Sequence, residues 1–187
     1  MVLTAWFYAT GTDGRALAPR LLRYALHTKF GLQTLPPMAE MPQGKRYFKE
    51  HPEIQFNLSH SGGFALCGIG DKPLGVDIEM VRPRRPGLER RILAPEEQTQ
   101  WQTSSDPTRL LIAFWTLKES YCKYTGEGLR IPPRESIFSF DVSGNISSNR
   151  TGCRFCLVEM PSFCAALCMD GTGEVPESLL QVTVEQL

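Results

Sequence analysis

Two pairs of charged residues in this chain have the types and spacing that chemistry uses. Asp77 and Glu79 lie two positions apart in the run Leu74-Gly75-Val76-Asp77-Ile78-Glu79. The run reads as a strand, where residues i and i+2 share a face, so the two carboxylates project together while Val76 and Ile78 point the other way. That is a two-oxygen claw for a hard cation. Magnesium takes oxygen ligands, commonly one or two carboxylates completed by water and substrate phosphate. Taken alone, the pair reads more simply as the solvated acidic side of a strand. The second pair is Glu119 and Lys123, one helical turn apart, which in isolation is an ordinary i, i+4 surface ion pair worth a few tenths of a kcal/mol.

The helix that carries the second pair is well marked. Asp106-Pro107 supplies an N-cap and a first-turn proline, the pattern runs to about Tyr124, and Gly126 follows. On a wheel of 100° per residue, Thr116, Glu119, Ser120 and Lys123 fall in one arc of about 100° with apolar residues on both sides. A polar strip flanked twice by apolar surface is the pattern of a notch facing a cleft. Phe114 and Trp115 read as packing residues.

The elements around these pairs are mixed. A strand is expected over Val2 to Tyr8, a helix from Pro19 through Lys29 closed by Gly31, and a loop over residues 33 to 53. Three strand runs, 55–59, 64–69 and 74–79, follow as a meander, the last two joined by the turn Gly70-Asp71-Lys72-Pro73. Arg82-Pro83-Arg84-Arg85-Pro86 is a stiff basic connector. A short helix is expected from Pro95, then the helix from Asp106, then strands over 136–142, 152–159, 163–169 and 180–184. Separate helices among strand runs without regular alternation predict an α+β fold. The expected layout is two similar half-domains, a pseudo-dimer in which each half packs a helix on a small antiparallel sheet, with residues 1–80 and 81–187 as the N- and C-terminal halves of one compact unit.

Composition bounds the function. Lys+Arg 20 against Asp+Glu 20 leaves no formal net charge, and 42% of the 187 residues are hydrophobic. A core is affordable, and a polycation that sheathes nucleic acid is not expected. No apolar run approaches a membrane span and no basic-flanked leader is present, so a cytoplasmic protein without a membrane partner is expected. Of six cysteines, Cys153, Cys156, Cys164 and Cys168 have the count of a zinc site, but the odd spacing of Cys153 and Cys156 in a strand puts them on opposite faces. All six read as buried thiols.

Three blocks now stand together: Phe56-Asn57-Leu58-Ser59-His60-Ser61, Gly75-Val76-Asp77-Ile78-Glu79, and Trp115-Thr116-Leu117-Lys118-Glu119-Ser120-Tyr121-Cys122-Lys123. In this order and spacing the chain resembles the 4′-phosphopantetheinyl transferases of the Sfp type, from about Gly44 to Leu129. The resemblance implies transfer of phosphopantetheine from coenzyme A to a serine of an apo acyl or peptidyl carrier protein, with release of adenosine 3′,5′-bisphosphate. It also implies Asp77, Glu79 and Glu119 as ligands of Mg2+, Glu119 as general base, and Lys123 as a catalytic and phosphate-binding cation. Lys45, Ser59 and His60 match residues that contact the ribose 3′-phosphate of coenzyme A. Arg15 and Arg20 are further phosphate candidates. Arg82, Arg84, Arg85, Arg90 and Arg91 are placed to meet an acidic carrier domain, or are simply a solvated connector. The family implies a monomer. Two other readings keep the same residues: a carrier- or coenzyme A-binding module without turnover, and a metal-dependent nucleotide phosphohydrolase.

Overall fold

The computed structural model describes residues 4–176 and 178–187. The chain opens with strand β1 (Ala5–Thr10) and helix α1 (Gly14–Phe30), continues through a small hairpin, β2 (Met38–Glu40) and β3 (Arg46–Phe48), and enters the hairpin β4 (Gln55–Ser61) and β5 (Phe64–Gly70). It then repeats the plan. Strand β6 (Leu74–Met80) leads through the short helices α2 (Leu88–Ile92) and α3 (Pro95–Thr103) to the long helix α4 (Pro107–Thr125). A second small hairpin, β7 (Phe138–Phe140) and β8 (Ile146–Ser148), precedes the hairpin β9 (Cys153–Glu159) and β10 (Phe163–Asp170), and β11 (Leu180–Gln181) closes the series.

Strand order makes the repeat explicit. In the first sheet β1, β5 and β4 are neighbours in that order, and in the second β6, β10 and β9 are, each pairing antiparallel. Strand, helix, small hairpin and long hairpin therefore follow one another twice, which is the expected α+β pseudo-dimer. Helices α2 and α3 have no counterpart in the first half, and β11 adds a parallel edge to β1.

The layers are helix, sheet, sheet, helix. Leu17, Leu21, Leu22 and Leu26 of α1 pack on Phe7, Phe56, Cys67 and Ile69 of the first sheet. Trp6, Tyr8 and Leu66 on the other side of that sheet meet Leu74, Val76, Ile78, Phe163, Ala165 and Leu167 of the second. Phe114 and Leu117 of α4 close the outer face of the second sheet over Ala166. At about 2 kcal/mol for each fully buried leucine or phenylalanine, these three seams supply most of the drive to fold.

Several local expectations shift. Helix α1 begins at Gly14, because Asp13 accepts the Arg15 N–H as its cap, and Pro19 lies inside the helix on its exposed side. Its ring costs the helix the N–H that would reach Arg15, a loss the packed inner face outweighs. Strand β1 starts at Ala5, and the expected start at Val2 lies outside the described residues. The stretch 33–53 carries the β2–β3 hairpin. The meander is broken: β4 pairs with β5, but β6 pairs with β10. Strands β5 and β6, on either side of the turn 71–73, thus belong to different sheets, and β11 near the C-terminus returns to the first. All six cysteines are free thiols, four of them buried.

Candidate functional site

Helix α4 lies across β6 because Gly75 has no side chain; a Cβ there would overlap the backbone of Ser120 and Tyr124. Asp77 and Glu79 share the Gly75 face, so the strand alternation that buries Val76 and Ile78 delivers both carboxylates to α4. From the helix, Lys123 reaches down: its Nζ donates to Asp77 Oδ1 at 2.7 Å and to Ser59 Oγ at 2.8 Å. Glu119, one turn earlier, is half-buried beside them. The four charged side chains picked from the sequence are therefore brought together.

Electrostatics mark the place. Burial, with the charges of Asp77 and Glu79 adding to it, pushes the Glu119 carboxyl from an ordinary 4.5 up to about 7, although Lys123 opposes the shift. Asp77 is also raised: burial outweighs the help of Lys123 and Ser59, and Glu79 adds repulsion. Its Oδ1 is hydrogen-bonded, yet its Oδ2 is buried with no partner. A buried carboxylate oxygen without a donor is costly, and it is the atom a cation would satisfy. Glu79 is held differently. Ser61 Oγ donates to its Oε2 at 3.0 Å, and Arg84 Nη2 donates to the same oxygen at 2.6 Å.

The donor set, all carboxylate oxygen, suits a hard divalent cation. Asp77 Oδ2 and the Glu119 carboxylate are the free members, whereas Glu79 is drawn to Arg84. Among the described residues no three acidic, histidine or cysteine side chains stand close enough to enclose an ion. The three acids form one electrostatic cluster rather than a ligand sphere.

A cleft of about 410 Å³ is lined by Arg15, Gly44, Lys45, Arg46, Phe56 and His60 among others. Its cationic wall is what an organic phosphate requires. His60 is exposed at the end of β4. Lys45 ties the cleft to the acids: its Nζ donates to the carbonyls of Tyr124 at 2.8 Å and Leu74 at 3.2 Å, one residue from Lys123 and one from Gly75. This lysine closes the C-terminal end of α4 together with Gly126, which sits at φ 75° and gives its N–H to Cys122. Desolvation holds the Lys45 ammonium below its usual range.

The structure places the remaining site residues as follows. Ser59 does not line the cleft; alternation along β4 turns it the other way, where it is buried between Lys123 and Asp77. Glu119 and Lys123 are not a simple surface pair, since Lys123 bonds Asp77. The polar strip of α4 serves two ends, because the buried Thr116 and Ser120 hydroxyls donate back to Ile112 and Leu117 and leave only Glu119 and Lys123 facing the acids. Arg20 is engaged by the Val184 carbonyl.

Other participants were missed. Ser61 follows Ser59 by two, so the same alternation would have found it. Arg84 gave no signal beyond membership of the basic connector. Lys118 and Glu97 form a fully buried pair at 2.6 Å; a lysine amid the apolar arc of α4 was the clue, and nothing in the sequence named its partner.

Comparison with known proteins meets this geometry from a separate direction. The model of the 4′-phosphopantetheinyl transferase superfamily matches residues 73–168. Among curated relatives, the 4′-phosphopantetheinyl transferase Sfp of Bacillus subtilis (strain 168) is 26% identical over 151 residues, 77% of this chain and 67% of its own. A second 4′-phosphopantetheinyl transferase of Bacillus subtilis is 35% identical over 91 residues, 48% of this chain and 41% of its own. The match thus spans 41% to 67% of these two relatives' lengths. Among solved structures, the holo-[acyl-carrier-protein] synthase (AcpS) of Neisseria meningitidis aligns with a TM-score of 0.48 and 17% identity over 54% of this chain and 98% of that one. The family match runs from the start of β6 to the middle of β10 and so includes both acids of the strand, Glu119 and Lys123 of the helix; this chain belongs to the 4′-phosphopantetheinyl transferase superfamily.

Proposed function

We propose that this chain transfers 4′-phosphopantetheine from coenzyme A to a serine of an apo acyl or peptidyl carrier protein, releasing adenosine 3′,5′-bisphosphate. The observation that carries the reading is an acidic cluster with an unpartnered carboxylate oxygen in a protein that also holds a cation-lined cleft, whose Lys45 bonds the carbonyl of Tyr124, next to Lys123. The cleft fits the nucleotide end of coenzyme A, with Arg15, Lys45, Arg46 and His60 toward the ribose 3′-phosphate. The diphosphate then extends toward Lys123 and the acids.

Asp77, Glu79 and Glu119 are the residues to hold Mg2+, which when bound neutralises diphosphate charge without proton transfer. The carrier serine oxygen attacks the phosphorus that bears pantetheine. A new O–P bond forms, the bond from that phosphorus to the bridging oxygen breaks, and its electron pair leaves with adenosine 3′,5′-bisphosphate. Glu119 takes the serine proton. Lys123 balances phosphate charge as the bond breaks. It acts as a point charge and needs reach more than forked geometry.

The carrier approaches over the exposed arginines Arg82, Arg85, Arg90 and Arg91, whose charge suits an acidic domain. The same reading makes the protein a cytoplasmic monomer whose partners include neither nucleic acid nor membrane; no described helix is long and apolar enough to cross one.

The test is intact-mass analysis of a panel of apo carrier proteins incubated with the protein, coenzyme A and magnesium. A mass gain of one phosphopantetheine on a carrier serine is expected. Cleavage of coenzyme A without any carrier supports a phosphohydrolase instead, and tight carrier binding with no adduct supports a binding module.

A further inference from the structure

Strands β4 and β6 lie at the facing edges of the two sheets, yet no backbone ladder joins them. Side chains take its place. The N–H groups of Val76, Ile78 and Met80 donate to Asn57 Oδ1 at 2.9 Å, Ser59 Oγ at 3.3 Å and Ser61 Oγ at 3.2 Å. Three alternate residues of β4 thus satisfy three alternate N–H groups of β6, which an edge strand inside the protein would otherwise leave bare.

The two serine rungs do more than the asparagine rung. A hydroxyl has one proton to give. In each serine the oxygen already accepts from a β6 N–H, and at Ser59 from Lys123 as well, so the proton is directed to the remaining acceptor. For Ser59 that acceptor is Asp77 Oδ1 at 2.9 Å, and for Ser61 it is Glu79 Oε2 at 3.0 Å. Asn57 faces the Gly75–Val76 level, where there is no acid to hold. The consequence is directional. Hydrogen bonding fixes one oxygen of Asp77 and leaves Oδ2 as the free, buried one.

We propose that Ser59 and Ser61 are positioning residues for the ion-binding carboxylates, Ser59 orienting Asp77 and Ser61 orienting Glu79 through the same rung that joins the two sheets. The inference rests on the reading that Asp77 and Glu79 hold a divalent cation. Groups that orient metal ligands are worth roughly 10- to 100-fold in metal affinity. Ser61 also gives Glu79 a second tether besides Arg84, so that the carboxylate stays near α4 when an ion displaces the guanidinium.

Mn2+ titration of the full chain, followed by the loss of the free-ion electron paramagnetic resonance signal, tests this without turnover. Ser61→Ala is expected to raise the Mn2+ dissociation constant about tenfold. Ser61→Thr, which keeps the hydroxyl, should restore it, and Ser59→Ala should weaken binding at least as much. Asn57→Ala removes a rung with no acid behind it and is expected to lower the melting temperature while leaving Mn2+ affinity unchanged. If Asn57→Ala and Ser61→Ala weaken Mn2+ equally, or Ser61→Ala leaves it unaltered, the rungs are only structural and the inference fails. If the wild type and Asp77→Asn alike bind no Mn2+, the metal reading itself falls and takes this inference with it.

Discussion

Helix α4 carries two lysines that each meet a buried carboxylate, and the two meetings differ in how completely the carboxylate is satisfied. Lys118 donates to Glu97 Oε2 at 2.6 Å and to the carbonyls of Ile92 and Pro133 at 3.0 Å each. Glu97 in turn accepts the N–H groups of Ala94 and Phe138. All three ammonium protons and both carboxylate oxygens of that pair are used, and both side chains are almost wholly buried. Lys123 and Asp77 make an equally short contact, but Asp77 Oδ2 is left without a partner, Lys123 is half-buried, and a third carboxylate, Glu119, stands beside them. A completed buried pair pins α3, α4 and β7 to one another. An incomplete one leaves a buried carboxylate oxygen unsatisfied, at a cost in stability that the rest of the fold must carry.

The largest expected effect lies at the incomplete site. Glu119→Gln keeps the shape of the side chain and removes its proton affinity, so carrier modification should slow by about 10²- to 10⁴-fold, while the melting temperature holds or rises because a repelled carboxylate is gone. Single-turnover assays with saturating coenzyme A, read beside a thermal melt, check both halves; a slow and unstable variant would mean that Glu119 is structural. Lys118→Met should behave in the opposite sense. It leaves Glu97 as a buried charge with no cation, a change that costs roughly 3–5 kcal/mol, and the loss should appear in urea denaturation, with activity falling only as far as the folded fraction does.

A smaller effect separates Arg84 from both pairs. Its contact with Glu79 is partly exposed, with 21% of each side chain accessible, and such pairs hold little energy. An ion that claims Glu79 must displace it. Arg84→Ala is therefore expected to tighten Mn2+ binding by about twofold to fivefold, the opposite of Ser61→Ala. Weaker binding in Arg84→Ala, measured by the same titration, would show that the arginine holds Glu79 in place for the ion.

The sequence made one side of this comparison legible and hid the other. Asp77 and Glu79 were readable because strand alternation needs only neighbours, and Glu119 and Lys123 because a helix repeats every turn. The cap of α4 and the helix stop at Gly31 were readable for the same reason. What joins positions far apart was not. Glu97 looked like an acid placed for a helix N-terminus, and its burial against Lys118 follows from how α3 packs on α4. Ser59 was assigned to a phosphate because the block around it resembles a family, whereas the pairing of β4 with β5 turns it toward β6. The departure of β6 to the second sheet was invisible for a like reason. A tight turn such as 71–73 fits a meander and a change of sheet equally well, and only the apolar partners on β10 decide between them.

A last effect is a pH slope below neutrality, which the incomplete pair should show. In the ion-free protein Glu119 titrates at about 7 against an ordinary 4.5, through burial first and then the charges of Asp77 and Glu79, with Lys123 opposing. The folded state therefore holds this proton more tightly than the unfolded chain. Between those two values the native protein carries more bound protons, so stability falls as pH rises from about 5 to 7 and levels off above that. The raised Asp77 carboxyl contributes with the same sign from lower pH. Subtracting the stability profile of Glu119→Gln from that of the wild type isolates the Glu119 part, because the other titrating groups are common to both. The difference should decline across this window in the absence of ions and flatten when Mn2+ is added, since a cation among the three acids favours their charged forms. A difference that rises with pH would place a net positive environment around Glu119 and reverse the assignment of the site.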